Sequence, residues 1–347
     1  MSEPYLSGIV EGFYGRQWSW SSRRNYADFL QQQRLNTYLY CPKGDSYLRK
    51  AWREHWPAPI AAELHTTARH FRDRKLNWGV GLSPYALYRN YTAPEKTALR
   101  EKIARIDDLG GNLLAVLFDD MPGDCPDLAM RQAEIVVDVV AWTAAQQVLV
   151  CPTYYSYDPV LERYFGARPE HYWQDLGAAL PAGVDIFWTG NQVCSETINC
   201  ADITSIAKQL GRAPVLWDNY PVNDGEKAAG FLHMQPLPGR EPLLGQQLAG
   251  HLCNPMNQAS LSRYPLSGLG RMQGAPAQSL EETYGSELGQ CLAEDMAVFE
   301  QRGLAAMDDD ERARLTDRYS KFEHEAALEV VNWLAGEYRF DPACLTG

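Results

Sequence analysis

The stretch LLAVLFDDMPG, residues 113–123, runs from apolar residues straight into two adjacent carboxylates, Asp119 and Asp120, and then into a Pro-Gly turn. Three kinds of chemistry suit such a pair. It could hold a divalent cation, as the acid at a strand end does in nucleotide-binding folds, but that reading needs a G-x-x-x-x-G-K-[ST] loop and the chain has none. Asp120 or Asp124 could cap a helix beginning near residue 126. The pair could also be an acid and a base. Two carboxylates crowded in a partly apolar mouth have their pKa values pushed apart, one protonated and one ionised, a division of labour that glycoside hydrolysis uses. Neighbours on a regular strand face opposite ways, so both can enter one site only if the chain turns at Asp119, and MPG supplies the turn residues.

The elements needed to position the pair recur along the chain. Short apolar or β-branched runs lie at 7–15, 35–45, 76–84, 112–120, 147–155, 184–191, 213–221 and 250–256. Helical patterns at 21–34, 58–74, 94–108 and 127–145 fall between them, several opening with Ser, Pro or Asp. Strands separated by helices imply parallel β/α units. Eight such units predict a closed (β/α)8 barrel of the TIM type over residues 1–275. Beyond 276 the strand pattern stops, and a C-terminal helical segment, 276–347, is expected to pack on the barrel. Within it MDDDERAR reads as a helix start with acids near its N-terminus.

Catalytic groups of such barrels sit where strands end and loops begin. The polar residues concentrate there: Lys43 and Asp45 after the second strand, Asp119 and Asp120 after the fourth, Tyr154 and Tyr155 after the fifth. Trp188, Gly190 and Asn191 end the sixth, Trp217, Asp218, Asn219, Asn223 and Asp224 the seventh, and Asn254 the eighth. A mouth of carboxylates, amides and aromatics with one lysine looks like a carbohydrate site.

Composition narrows the function classes. A net charge of -12 with no basic stripe argues against nucleic acid or an acidic membrane as partner. No apolar run approaches the roughly 18 residues of a membrane span, and no leader pattern opens the chain, so a cytoplasmic location is expected. The 8 Cys show no C-x-x-C pair and the 7 His no cluster, so reduced thiols are expected, with no metal, no cofactor and no Ser-His triad.

With these residues assembled, the chain resembles the β-N-acetylglucosaminidase family that includes O-GlcNAcases and some enzymes called hyaluronidases, glycoside hydrolase family eighty-four. The resemblance rests on GIVEGFYGRQWSW, LNTYLYCPKGDSYLRKAWREHWP, LFDDMPG, CPTYY, FWTGNQV, WDNYPVND and CNPMNQAS, in the family's order over roughly residues 7 to 260. It implies a (β/α)8 barrel and a retaining exo-β-N-acetylglucosaminidase acting on terminal β-linked GlcNAc of a glycan or glycoprotein. The implied mechanism is substrate-assisted: the 2-acetamido oxygen attacks the anomeric carbon and forms an oxazoline, so no protein nucleophile is needed, an exception to the usual two-carboxylate scheme. The resemblance makes Asp119 the carboxylate that orients the acetamido N–H and Asp120 the general acid, then base. It makes Gly12, Lys43, Tyr155, Trp217, Asn219, Asp224 and Asn254 sugar-contacting positions.

Each assignment has a plainer rival. Lys43 could pair with Asp45 or Glu11, Gly12 could serve only a tight turn, and Trp217 could be core. Tyr14 and Trp188 fit site and core equally and are not assigned, and Arg49, Trp52 and Arg53 read as structural. The alternative function on the same barrel is a catalytically silent GlcNAc-binding protein.

Overall fold

The computed structural model describes residues 5–338. Eight strands form a closed parallel barrel in sequence order: β1 (Leu6–Glu11), β2 (Thr37–Tyr40), β3 (Asn77–Leu82), β4 (Leu113–Leu117), β5 (Gln147–Cys151), β6 (Val184–Trp188), β7 (Val215–Asp218) and β8 (Gly250–Cys253). Closure is made by β1 on β8, with Leu6 opposite Gly250 and Ile9 opposite Cys253. Parallel strands covered on both faces are apolar throughout rather than alternating, and every residue of β4 and β5 is buried.

The ladders stop short of the expected runs, β4 at Leu117 and β1 at Glu11. The polar tails of those runs are therefore released from sheet geometry and free to turn into the mouth.

The helices are α1 (Trp20–Gln32), α2 (Ala58–Asp73), α3 (Ala93–Asp108), α4 (Leu128–Trp142), α5 (Pro159–Phe165), α6 (Tyr172–Ala179), α7 (Cys200–Leu210) and α8 (Arg263–Met272) around the barrel. After them come α9 (Leu280–Tyr284), α10 (Ser286–Ala297), α11 (Asp309–Tyr319) and α12 (Glu325–Leu334). Several of the starts follow capping chemistry: Ser19 accepts from the Ser22 N–H at 3.0 Å, Asp158 from Val160 at 2.9 Å and Asn199 from Asp202 at 2.9 Å. In the acidic run, Asp308 accepts from the Glu311 N–H at 2.8 Å and three acids follow in the first turn of α11, as the helix dipole favours.

The barrel core includes Leu114, Val116, Leu149, Ile186 and Leu216. A second apolar cluster unites α9–α12 with Leu232, Met234, Met256 and Leu261 from loops of the barrel. Residues 339–347, part of the expected C-terminal segment, lie outside the described residues. Among the described residues no helix is long and apolar enough to cross a membrane.

Candidate active site

At the C-terminal ends of the strands lies a cavity of ≈ 660 Å³, and all nine site residues expected from sequence line it. The acid pair enters through a backbone turn. Phe118, one residue past β4, is still held to β5 by one bond, its N–H donating to Cys151 O at 2.8 Å, and two residues later Asp120 takes φ 54°. Asp is one of the few non-glycine types that enter this left-handed region readily. The turn breaks strand alternation and brings both carboxylates to the same mouth.

The two acids have different surroundings. Asp119 is buried and its Oδ2 pairs with the Lys43 ammonium, while its Oδ1 is buried with no partner among the described residues. Asp120 accepts from two tyrosine hydroxyls, Tyr14 at 2.7 Å and Tyr155 at 3.0 Å. Burial favours the protonated form of Asp120, but the charges of Lys43 and Arg49 and the two tyrosine donors outweigh it and hold the carboxyl below its ordinary value. The protonated form expected for one acid of the pair is therefore not the state these surroundings favour for Asp120. Its donors, invisible in the local sequence, stabilise the ionised form. The capping alternative also fails for Asp120: its oxygens meet tyrosines, and α4 begins without a side-chain cap.

Lys43 pairs with Asp119 rather than with either sequence alternative. Asp45 instead accepts from Tyr40 at 2.9 Å and Trp56 at 3.0 Å, and Glu11 takes the Arg23 guanidinium and the Tyr38 hydroxyl. The Lys43 Nζ lies 5.9 Å from the Trp217 ring centroid, within reach of a cation–π attraction.

Opposite the acids, three strand ends are joined by hydrogen bonds. The Gly12 N–H donates to Asn254 Oδ1 at 3.1 Å, Asn254 Nδ2 to Asn219 Oδ1 at 3.0 Å, and Trp217 Nε1 to the same Asn219 oxygen at 3.0 Å. Asn219 Nδ2 donates onward to Val193 O at 2.7 Å. A Cβ on residue 12 would lie 2.2 Å from Trp217 Cζ2, so glycine is required by the tryptophan and not by a turn.

Asp224 accepts from the Tyr14 N–H at 2.6 Å. Burial, with the nearby charge of Asp120 adding to it, pushes its pKa up to about 6 despite that hydrogen bond.

Other strand-end polar groups serve the frame. Tyr154 donates to Gly166 O, Asn223 to Phe231 O, and Trp188 packs edge-on to Tyr157 and Trp173. Asp218, His251 and Cys253 approach one another closely enough to suggest a metal group. The Asp218 carboxylate is already taken by Arg240 and by His251 at 2.9 Å, and a guanidinium is a poor neighbour for a dication.

Tyr14, which the sequence left undecided between site and core, touches Asp120 through its hydroxyl and Asp224 through its backbone. Sequence reasoning read Arg49 as structural, though its charge acts on Asp120. Tyr14 stands within EGFYG, so its motif was visible while its direction was not. Val193, Cys194, Tyr164 and Phe165 also border the cavity; α5, which carries the last two, holds no legible motif.

A family model described as beta-N-acetylglucosaminidase matches residues 7–297. Proteins named Protein O-GlcNAcase from Rattus norvegicus and Mus musculus are each 32% identical over 261 residues, 72% of this chain and 28% of theirs. The chain thus spans 28% of the length of these curated relatives. A Thermobaculum terrenum O-GlcNAc hydrolase, solved as a mutant, superposes with a TM-score of 0.78 at 26% identity, covering 96% of this chain and 81% of that one. The structure of CpGH84B gives 0.74 at 20% identity, covering 96% and 66%, a likeness of fold alone.

Proposed function

Because this chain belongs to the β-N-acetylglucosaminidase family, we propose that it is a retaining exo-β-N-acetylglucosaminidase that removes terminal β-linked GlcNAc by substrate assistance. The observation that carries this reading is the lone Oδ1 of Asp119, a buried acceptor with no partner in a cavity otherwise rich in satisfied amides. A buried carboxylate oxygen left unsatisfied is costly, and an acetamido N–H supplies the donor it lacks.

In the proposed reaction the acetamide of the bound sugar lies against Asp119, whose charge is balanced by Lys43. The acetamido oxygen attacks C1 as the C1–O bond to the leaving group breaks, and Asp120 gives its proton to the departing oxygen. Asp119 stabilises the positive charge on the oxazoline. Asp120, now ionised, takes a proton from water, whose oxygen attacks C1 from the vacated side; the C1–O bond to the acetamide breaks and the acid is restored. Two inversions leave the β configuration. Lys43, Arg49 and the two tyrosines favour ionised Asp120; a bound sugar would seal it from water, and desolvation raises a carboxyl's pKa toward what a general acid needs. Asp224, Asn254 and the Gly12 backbone would grip the sugar hydroxyls, and Trp217 would wall the acetamido pocket.

The test compares an aryl β-N-acetylglucosaminide with the matching aryl β-glucoside. Wild type should cleave only the first, and Asp119→Asn should lower kcat by roughly 10²–10³, as loss of one preorganised electrostatic contact does. Asp120→Asn should lose about 10²–10⁴ on a poor leaving group and much less on one that needs no protonation. Sugar binding with no turnover between about pH 4 and 8 would instead establish the silent binder.

A further inference from the structure

Six large apolar or aromatic side chains stand exposed among the described residues, and Tyr164 is the most exposed at 78%. Single exposed apolar residues are ordinary, so position decides, and Tyr164 is the member of that set that borders the catalytic cavity. Its ring lies beside that of Phe165, centroids 6.4 Å apart, and Phe165 also lines the cavity.

The placement is fixed by hydrogen bonds to the acid turn. Phe165 O accepts from the Gly123 N–H at 2.6 Å, and Tyr154 donates to Gly166 O at 2.7 Å. Gly123 lies three residues beyond Asp120. At the start of the same connection Tyr155 donates to Asp120 itself. Asp158, which caps α5, also accepts from the Val193 N–H at 3.2 Å, tying the helix to the neighbouring wall. The segment carrying Tyr164 is thus fastened at both ends to the turn that presents Asp120, whereas Asp224, Asn254 and Gly12 come from other strand ends.

We propose that Tyr164, backed by Phe165, is a subsite for the leaving group and takes one that presents a ring, the flat face of a sugar or an aryl group. This rests on the hydrolytic reading above. The acid that protonates the glycosidic oxygen must face the departing group, so that group lies on the Asp120 side, and Tyr164 is the exposed flat surface held there. An aromatic ring with two torsions loses little entropy when it becomes a contact, and its face favours a ring over a flexible chain.

The experiment measures kcat/KM for wild type, Tyr164→Ala and Tyr164→Phe on four β-N-acetylglucosaminides: the 4-nitrophenyl glycoside, the β-1,4-linked GlcNAc disaccharide, the methyl glycoside and a GlcNAc-serine peptide. The Ala variant should lose about tenfold on the first two, the scale of one stacking contact, and less than twofold on the last two. The Phe variant should match wild type throughout. Equal losses on all four, or a loss confined to the glycopeptide, would overturn the leaving-group subsite and leave the hydrolase reading intact. No turnover of any substrate by wild type would remove the hydrolase reading and the leaving-group subsite with it.

Discussion

Asp120 and Asp224 meet the same residue from opposite sides, one at the Tyr14 hydroxyl and the other at the Tyr14 N–H, and their proton affinities move in opposite directions. Asp224 stays neutral to about pH 6 because burial penalises its charge. Above that pH it is a carboxylate, which on the proposed reading is a strong acceptor for sugar hydroxyls; below it that strength is lost. KM for a simple glycoside should therefore rise as pH falls through about 6, and Asp224→Asn should show a high KM with no such limb. An unchanged limb in the variant would assign it elsewhere. At this scale the sequence spoke through residue type and position at a strand end. It could not show that Lys43 reaches across to Asp119 or that Tyr14 turns inward, because both depend on distances between residues 76 and 106 positions apart.

At the end of β7, Trp217 and Asn219 line the cavity while Asp218 between them is buried against Arg240 and His251. This is the alternation of a strand carried one residue past its ladder. Arg240 does more than neutralise Asp218: it donates to the carbonyls of Ser195 at 3.1 Å, Glu196 at 3.0 Å and Pro238 at 2.6 Å. The loop after β6, which brings Val193 and Cys194 to the cavity, is thereby clamped to β7. Arg240→Met should destabilise the protein by about 3–5 kcal/mol, the usual result of stranding a buried charge, read from denaturant melts; a loss under about 1 kcal/mol would mean water replaces the guanidinium. Asp218 is held down at about 2 by Arg240 and His251 despite burial. Its contribution is thus complete above the ordinary Asp value of about 3.9 and is lost as pH falls toward 2. The eight strands were legible because buried parallel strands are unbroken apolar runs followed by turn residues. Arg240 was not, because it sits between β7 and β8 in a connection with no regular period.

Across the whole molecule, the helices after the barrel are tied to the rim of the site. Glu329 on α12 accepts from the N–H groups of Ser260 at 2.9 Å and Leu261 at 2.8 Å, in the connection whose Asn257 holds the Tyr14 and Arg16 carbonyls. We propose that helices α9–α12 act as a brace for that connection. Burial pushes the Glu329 pKa up to about 7 despite the two donors. A carboxyl whose folded value lies above its unfolded one, about 4.3, contributes most at low pH and loses that contribution as pH rises through about 7. Glu329→Gln should therefore gain in Tm relative to wild type between about pH 5 and pH 8, and a difference independent of pH would show that the charge is not what matters there. The contact between Gly12 on the β1 exit and Trp217 on the β7 exit, joined through Asn254 beyond β8, has a consequence in time. These partners span nearly the whole barrel, so a chain still emerging from the ribosome carries Asp119 and Asp120 long before it carries the proposed grip for the sugar. On the proposed reading, chemistry waits for the last strand to dock, and sugar affinity reports that the chain has grown past β8 and Asn254.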